Sequence, residues 1–171
     1  MFEMYAADFC TCNDVSAETQ LDCLWQGSKP TVTLSNNIHV QAGQFKLNCD
    51  GSVQLGTKKV AAGGVLHGQC GFVLFCYAHN VGFCSVIHAE LWSILIGVWI
   101  AWSRGYKTFF MGSYSQVAIH LLQNRCSTHH TSSSIVQNIK EVIQNGGNIN
   151  WSHILREANQ VTNRLANFGL S

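Results

Sequence analysis

Residues 44–50 read Gln44-Phe45-Lys46-Leu47-Asn48-Cys49-Asp50, and the class of the whole domain turns on them. Phe45, Leu47 and Cys49 alternate with Lys46, Asn48 and Asp50. A period of two puts the two sets on opposite sides of an extended chain, so a strand is expected. Gly51-Ser52 is expected to end it. A second strand is expected over residues 60–66, with Gly63-Gly64 inside it. Paired glycines within a strand point to a bulge or to a close backbone approach. His67-Gly68-Gln69-Cys70-Gly71 reads as a turn and residues 72–78 as a third strand. Such short connections favour an antiparallel meander.

Beyond the meander the period changes. Leu91 to Trp102 is nearly all apolar, yet too short to cross a bilayer, and extending it backwards takes in Glu90 and His88. A buried helix over residues 85–104 is the expectation. Glu90, Ser93, Gly97, Ala101 and Arg104 form a narrow stripe of small or polar residues at helical spacing, and Gly105 suits the stop. Trp92, Trp99 and Trp102 share helical spacing and read as core rather than as a base-stacking platform. A fourth strand is expected over 107–111. Ser113 and Gln116 then resemble a capping box, opening a helix that buries Val117, Ala118, Leu121 and Leu122. A helix over 133–144 would bury Ile135, Val136, Ile139 and Ile143, and Gly146-Gly147 would break it. A fifth strand over 149–155 and a last helix over 159–168, burying Val161, Leu165 and Phe168, complete the order. The class is α/β, a mixed sheet with helices on its faces.

Working backwards, residues 1–42 hold no sustained period and read as a leader or linker, ordered only in part, ahead of a domain over 43–171. That leader carries five acids and one base, a net charge of −4, whereas residues 43–171 carry nine bases and four acids, a net charge of +5. A mildly basic domain suits a polyanion partner, although no basic cluster is dense and a merely solvated surface is the alternative. With 47% hydrophobic residues the chain has enough apolar material for a sizeable core, which excludes wholesale disorder. The eight cysteines form no Cys-x-x-Cys pair, and the first ten residues hold two acids and no base, unlike a secretory signal. Reduced cysteines and an intracellular setting, nucleus or cytoplasm, are expected. A zinc site from Cys10, Cys12, Cys23 and His39 is the alternative use of the thiols.

Four segments carry a family likeness: Lys46-Leu47-Asn48-Cys49-Asp50-Gly51-Ser52; Ala61-Ala62-Gly63-Gly64-Val65-Leu66; His88-Ala89-Glu90-Leu91-Trp92; and His153-Ile154-Leu155-Arg156-Glu157-Ala158-Asn159, followed by Leu165-Ala166. In this order and spacing the chain from about residue 44 to 169 resembles the reverse-transcriptase-associated RNase H domain abundant in plant genomes. The resemblance implies an RNase H-like fold, a five-stranded mixed sheet with helices on both faces. It also implies a metal-dependent endonuclease that cuts the RNA strand of an RNA–DNA hybrid. In that chemistry two Mg2+ ions (or Mn2+) flank the scissile phosphate, held by four acidic side chains.

Carried over by position, the first acid is Asp50, at the end of the first strand, and the second is Glu90, in the first turn of the long helix. An acid at a helix start also complements the dipole, so a purely structural role is the alternative for Glu90. The third position is Tyr114, in the pair Tyr114-Ser115, and the fourth is Asn163. Tyrosine is neutral near pH 7 and too long to replace a short carboxylate. Asparagine keeps a ligating oxygen without the charge. His153 matches the region where related nucleases place a mobile histidine, or else is a plain sheet residue. Asp50 and Glu90 would be the metal ligands that remain. Nucleic acid would be met by the backbone near Gly51-Ser52 and by Lys46, Lys58 and Lys59. The expectation is an RNase H-type domain, monomeric and not in a membrane, that binds RNA–DNA hybrid and whose catalysis is weak or absent. A non-catalytic nucleic-acid-binding module and a decayed retroelement fragment are the alternatives.

Overall fold

The computed structural model describes residues 43–68, 71–144 and 146–170. The proposed leader and the cysteine–histidine zinc site lie outside them. Within them the chain runs β1 (Lys46–Val53), β2 (Lys59–His67), β3 (Val73–Phe83), α1 (Val86–Ser103), β4 (Thr108–Ser113), α2 (Gln116–Gln123), α3 (Ser133–Gln144), β5 (Asn148–His153), a 3-10 turn (Arg156–Asn159) and α4 (Gln160–Phe168). The five strands form one sheet in the order β3-β2-β1-β4-β5. β1, β2 and β3 are antiparallel neighbours, while β4 runs parallel to β1 and β5 parallel to β4. Tight turns can only reverse a strand, so the first three alternate; the helical crossovers α1 and α2–α3 return the chain in the same direction. This is the RNase H-like mixed sheet that the motif order implied.

The glycines of β2 are explained by what lies on either side of them. A Cβ on Gly63 would stand 2.3 Å from Ala166 N in α4, and a Cβ on Gly64 would stand 2.4 Å from the Tyr77 ring. Successive strand residues face opposite ways. α4 therefore lies hard against one face of the sheet, and Tyr77 fills the other. The Tyr77 hydroxyl donates to the Ser93 carbonyl of α1 and contacts Cys49 Sγ at 3.3 Å. The small stripe on α1 is what admits this ring, since a Cβ on Gly97 would meet the Tyr77 hydroxyl at 2.9 Å. Leu91, Ile94, Val98 and Ala101 are fully buried, so this helix, long and apolar enough to cross a membrane, is spent on the protein's own core. Because α4 offers backbone rather than a flexible side chain at Gly63, Gly63→Ala is expected to cost about 3 kcal/mol, read as a lower denaturation midpoint in urea.

Tertiary pairing overrides several local signals. Gly51-Ser52 does not end β1, because Gly51, Ser52 and Val53 pair with Ala62, Ala61 and Val60; the turn falls later, where Lys58 adopts φ +57°. β4 likewise runs on to Ser113, which pairs with both Cys49 and His153. The N-cap of α2 is Ser115, whose Oγ accepts from the Ala118 N–H at 3.2 Å, and not Ser113, which is fully buried. In α4 the buried face is Thr162, Leu165 and Ala166, chosen by the flat strand at Gly63, so Phe168 stands exposed rather than inward. Trp99 also emerges at the surface, whereas Trp92 and Trp102 pack on the core as expected. Cys49, Cys84 and Cys126 carry free thiols, and Cys76 is disulfide-bonded, an exception to the reduced state expected.

Candidate functional site

Asp50 lies within β1 rather than at its end, with Ser52 and Val53 still paired beyond it. Next to it, Gly51 has no side chain because α1 passes there: a Cβ would stand 2.5 Å from the Ala89 carbonyl carbon. That close approach brings Glu90 to the strand, where its Oε2 accepts from the Gly51 N–H at 3.3 Å. Ser85 caps α1 and Val86 opens it, which puts Glu90 just beyond the first turn. The dipole is weaker there, so complementing it is a poor explanation for this acid. Both carboxyls are buried, at 6% exposure for Asp50 and 7% for Glu90.

From the opposite face α4 delivers Asn163, whose Nδ2 donates to Asp50 Oδ2 at 2.8 Å. The bond belongs to a chain of three. Asn167 Nδ2 donates to Asn163 Oδ1 at 3.1 Å, and Ser52 Oγ donates to Asn167 Oδ1. Amide hydrogens thus occupy the Asp50 oxygen that faces α4. Asn159, visible in the sequence only as one member of a motif, anchors this helix. It is buried, and its Nδ2 donates to the Cys49 carbonyl at 3.1 Å while Thr162 Oγ1 donates to its own carbonyl at 2.8 Å. The signal available for it was its place at the close of Arg156-Glu157-Ala158-Asn159.

The electrostatics follow from burial. Desolvation, then the Asp50 charge, push the Glu90 carboxyl up to about 8, against a smaller downward pull from the Gly51 N–H. Desolvation also raises Asp50, opposed by the Asn163 bond, by the Arg156 guanidinium and by Asn159. Metal-free, the pair therefore holds fewer than two negative charges near neutral pH.

Tyr114 follows the last residue of β4, and since Ser113 pairs with Cys49 the register carries it alongside Asp50. Its side chain does not join the buried acids but stands 47% exposed. The ring lies 5.9 Å from that of His153, tilted by 33°. His153 closes β5, and its Nε2 lies 3.0 Å from the Tyr114 carbonyl. A carbonyl only accepts, so the proton is on Nε2 and the ring is tied to the sheet.

Of the basic residues expected to meet nucleic acid, Lys58 in the β1–β2 turn and Lys59 at the start of β2 are exposed. Lys46 is not available: it is buried at the start of β1, and desolvation lowers its ammonium below the usual lysine range. The Gly51 N–H and the Ser52 hydroxyl are committed to Glu90 and Asn167. Among the described residues no three acids, histidines or cysteines gather in a way that would hold a metal ion.

The sequence pattern of the reverse transcriptase-like family matches residues 48–169. An Arabidopsis thaliana protein named for ribonuclease H is 30% identical over 129 residues, 75% of this chain but only 21% of that protein's length. RNase H1 from the archaeon Halobacterium salinarum superposes with a TM-score of 0.69 at 19% identity, over 75% of this chain and 98% of its own. LC11 RNase H1, isolated from compost and solved with an RNA/DNA hybrid, superposes with a TM-score of 0.63 at 17% identity, over 75% of this chain and all of its own. At these identities the solved structures speak for the fold.

Proposed function

As the chain belongs to the reverse transcriptase-like family and carries an RNase H-like domain of retroelement type, we propose that it binds RNA–DNA hybrid and hydrolyses it far more slowly than a four-acid relative. The observation that carries this reading is the Asn163 amide bonded to Asp50 at the position of the fourth acid. Binding is supported by the fold shared with LC11 RNase H1, which was solved on such a hybrid. It is supported also by the exposed Lys58 and Lys59 beside the strand that bears Asp50.

The donors present do not fit a pair of divalent ions. Two Mg2+ ions bring four positive charges, and Mg2+ takes hard oxygen ligands in a near-octahedral set. Asp50 and Glu90 offer two carboxylates at most, and Asn163 turns N–H rather than oxygen toward Asp50. No hydrolytic step is therefore built on a two-ion centre.

The direct test is cleavage of an RNA–DNA hybrid in Mg2+ and then Mn2+, with binding followed in parallel. Turnover about 100-fold or more below that of a four-acid RNase H is expected, with binding retained. Rapid cleavage that Asp50→Asn abolishes would overturn the reading. For the binding surface, Lys58→Ala with Lys59→Ala is expected to weaken hybrid affinity and to make the slope of log K against log salt shallower by about 1 to 2. An unchanged slope would remove the two lysines from the phosphate contacts.

A further inference from the structure

The tyrosine at the third acidic position has chemistry of its own. Among the described residues its ring and that of His153 form an aromatic pair on the surface, while Trp102–Phe109 sits against the core and Phe45–Tyr106 packs beside it. His153 is fixed by its strand and by the bond to the Tyr114 carbonyl, so the histidine side of the pair loses little freedom when something lies on the rings. The pair also lies where the register brings β4 alongside Asp50, so it is continuous with the site rather than remote from it.

We infer that Tyr114, backed by His153, is a stacking platform for an unpaired nucleobase, so that the site prefers a hybrid continuing into single strand over a fully paired one. The inference rests on the proposed binding of nucleic acid and names the part of the ligand this chain's own residues select. The reason for an unpaired base is geometric. Inside a duplex both faces of each base are covered by neighbours, and the deep, narrow major groove of an A-like helix is closed to side chains. A free base offers its π-face, and every base has one, so stacking gives affinity without sequence preference.

End-labelled hybrids would be compared by filter binding: blunt, with a single-stranded tail of adenines, and with the same tail made abasic. The abasic tail keeps the phosphates, so the ratio of the two tailed affinities reports the bases alone. A ratio of about 10 is expected for the unmodified chain, falling to near one in Tyr114→Ala and persisting in Tyr114→Phe, which keeps the ring. Tyr114 is half exposed, so these variants fold; near-ultraviolet circular dichroism would confirm it. Equal binding of adenine and abasic tails by the unmodified chain, or a preference that survives Tyr114→Ala, would overturn the platform while leaving hybrid binding standing. Binding of the adenine tail with no binding of blunt hybrid would support the platform and sink the hybrid reading instead.

Discussion

Tyr114→Asp combined with Asn163→Asp is expected to raise hybrid cleavage in Mg2+ by about 100-fold or more over the unmodified chain. The scaffold that such acids need is already in place. Gly51 lets α1 bring Glu90 to the strand, Asn159 pins the start of α4 to the Cys49 carbonyl, and Asn163 is held 2.8 Å from Asp50. An aspartate at 163 replaces an N–H donor with an oxygen at an unchanged distance from the backbone. An aspartate at 114 adds the carboxylate that the β4 register carries alongside Asp50. The gain should be strongly non-additive, since two carboxylates plus one remain too few for two ions. Crowding a third and fourth acid around Asp50 and Glu90 has its own signature. Without divalent ions the double variant should melt lower than the unmodified chain, and Mg2+ should restore it, because a ligand that binds only the folded state stabilises it. The unmodified chain should respond little to the same Mg2+. A folded double variant that neither cleaves nor responds to the ion would mean that Tyr114 and Asn163 do not stand where the acids of a nuclease stand.

The second large effect is on stability. Glu90→Gln is expected to stabilise the metal-free protein at alkaline pH and to flatten its pH dependence. Burial and the Asp50 charge raise the folded carboxyl of Glu90 to about 8, from an ordinary 4.5. Between those values the folded state holds a proton that the unfolded chain has released, so stability falls as pH rises through this window. The loss is complete above about pH 8, and below about pH 4.5 the group contributes no slope. Asp50 is raised in the same direction and adds to the trend. The full drop from Glu90, for a rise from 4.5 to about 8, is about 5 kcal/mol. Glutamine keeps an oxygen for the Gly51 N–H but cannot ionise, so the variant should lose this slope. Urea denaturation in EDTA at pH 5, 7 and 9 measures it. An equally steep decline in Glu90→Gln would place the pH sensitivity elsewhere, Asp50 being the first alternative.

Much of the fold was legible in the chain because its signals are local. Alternation around Leu47 and Cys49, the apolar run after Glu90 and the glycines at 105, 146 and 147 each mark an element by a rule of period or turn. The candidate site was legible for a different reason. Asp50, Glu90, Tyr114 and Asn163 follow from the family resemblance, position by position, and in the structure Glu90 accepts from the Gly51 N–H beside Asp50 while Asn163 donates to Asp50. Where the expectation failed, a local cue met a long-range partner. Gly51-Ser52 looks like a terminator, but β2 offers three more pairings. Ser113 looks like a cap, but β1 and β5 both claim it. Lys46 looks like a surface base on an alternating strand, but that face of β1 is covered.

Sequence by itself settled the kind of element, the order of elements and the family, since each of these is a property of residue type and spacing along one dimension. Tertiary structure alone decided how the remaining groups are disposed: the Ser52–Asn167–Asn163–Asp50 chain of hydrogen bonds, the protonation of Glu90 and the outward turn of Tyr114 onto His153. Those depend on distance and on exclusion of water between residues far apart in the chain, and neither quantity exists until α1 and α4 close on the two faces of the sheet.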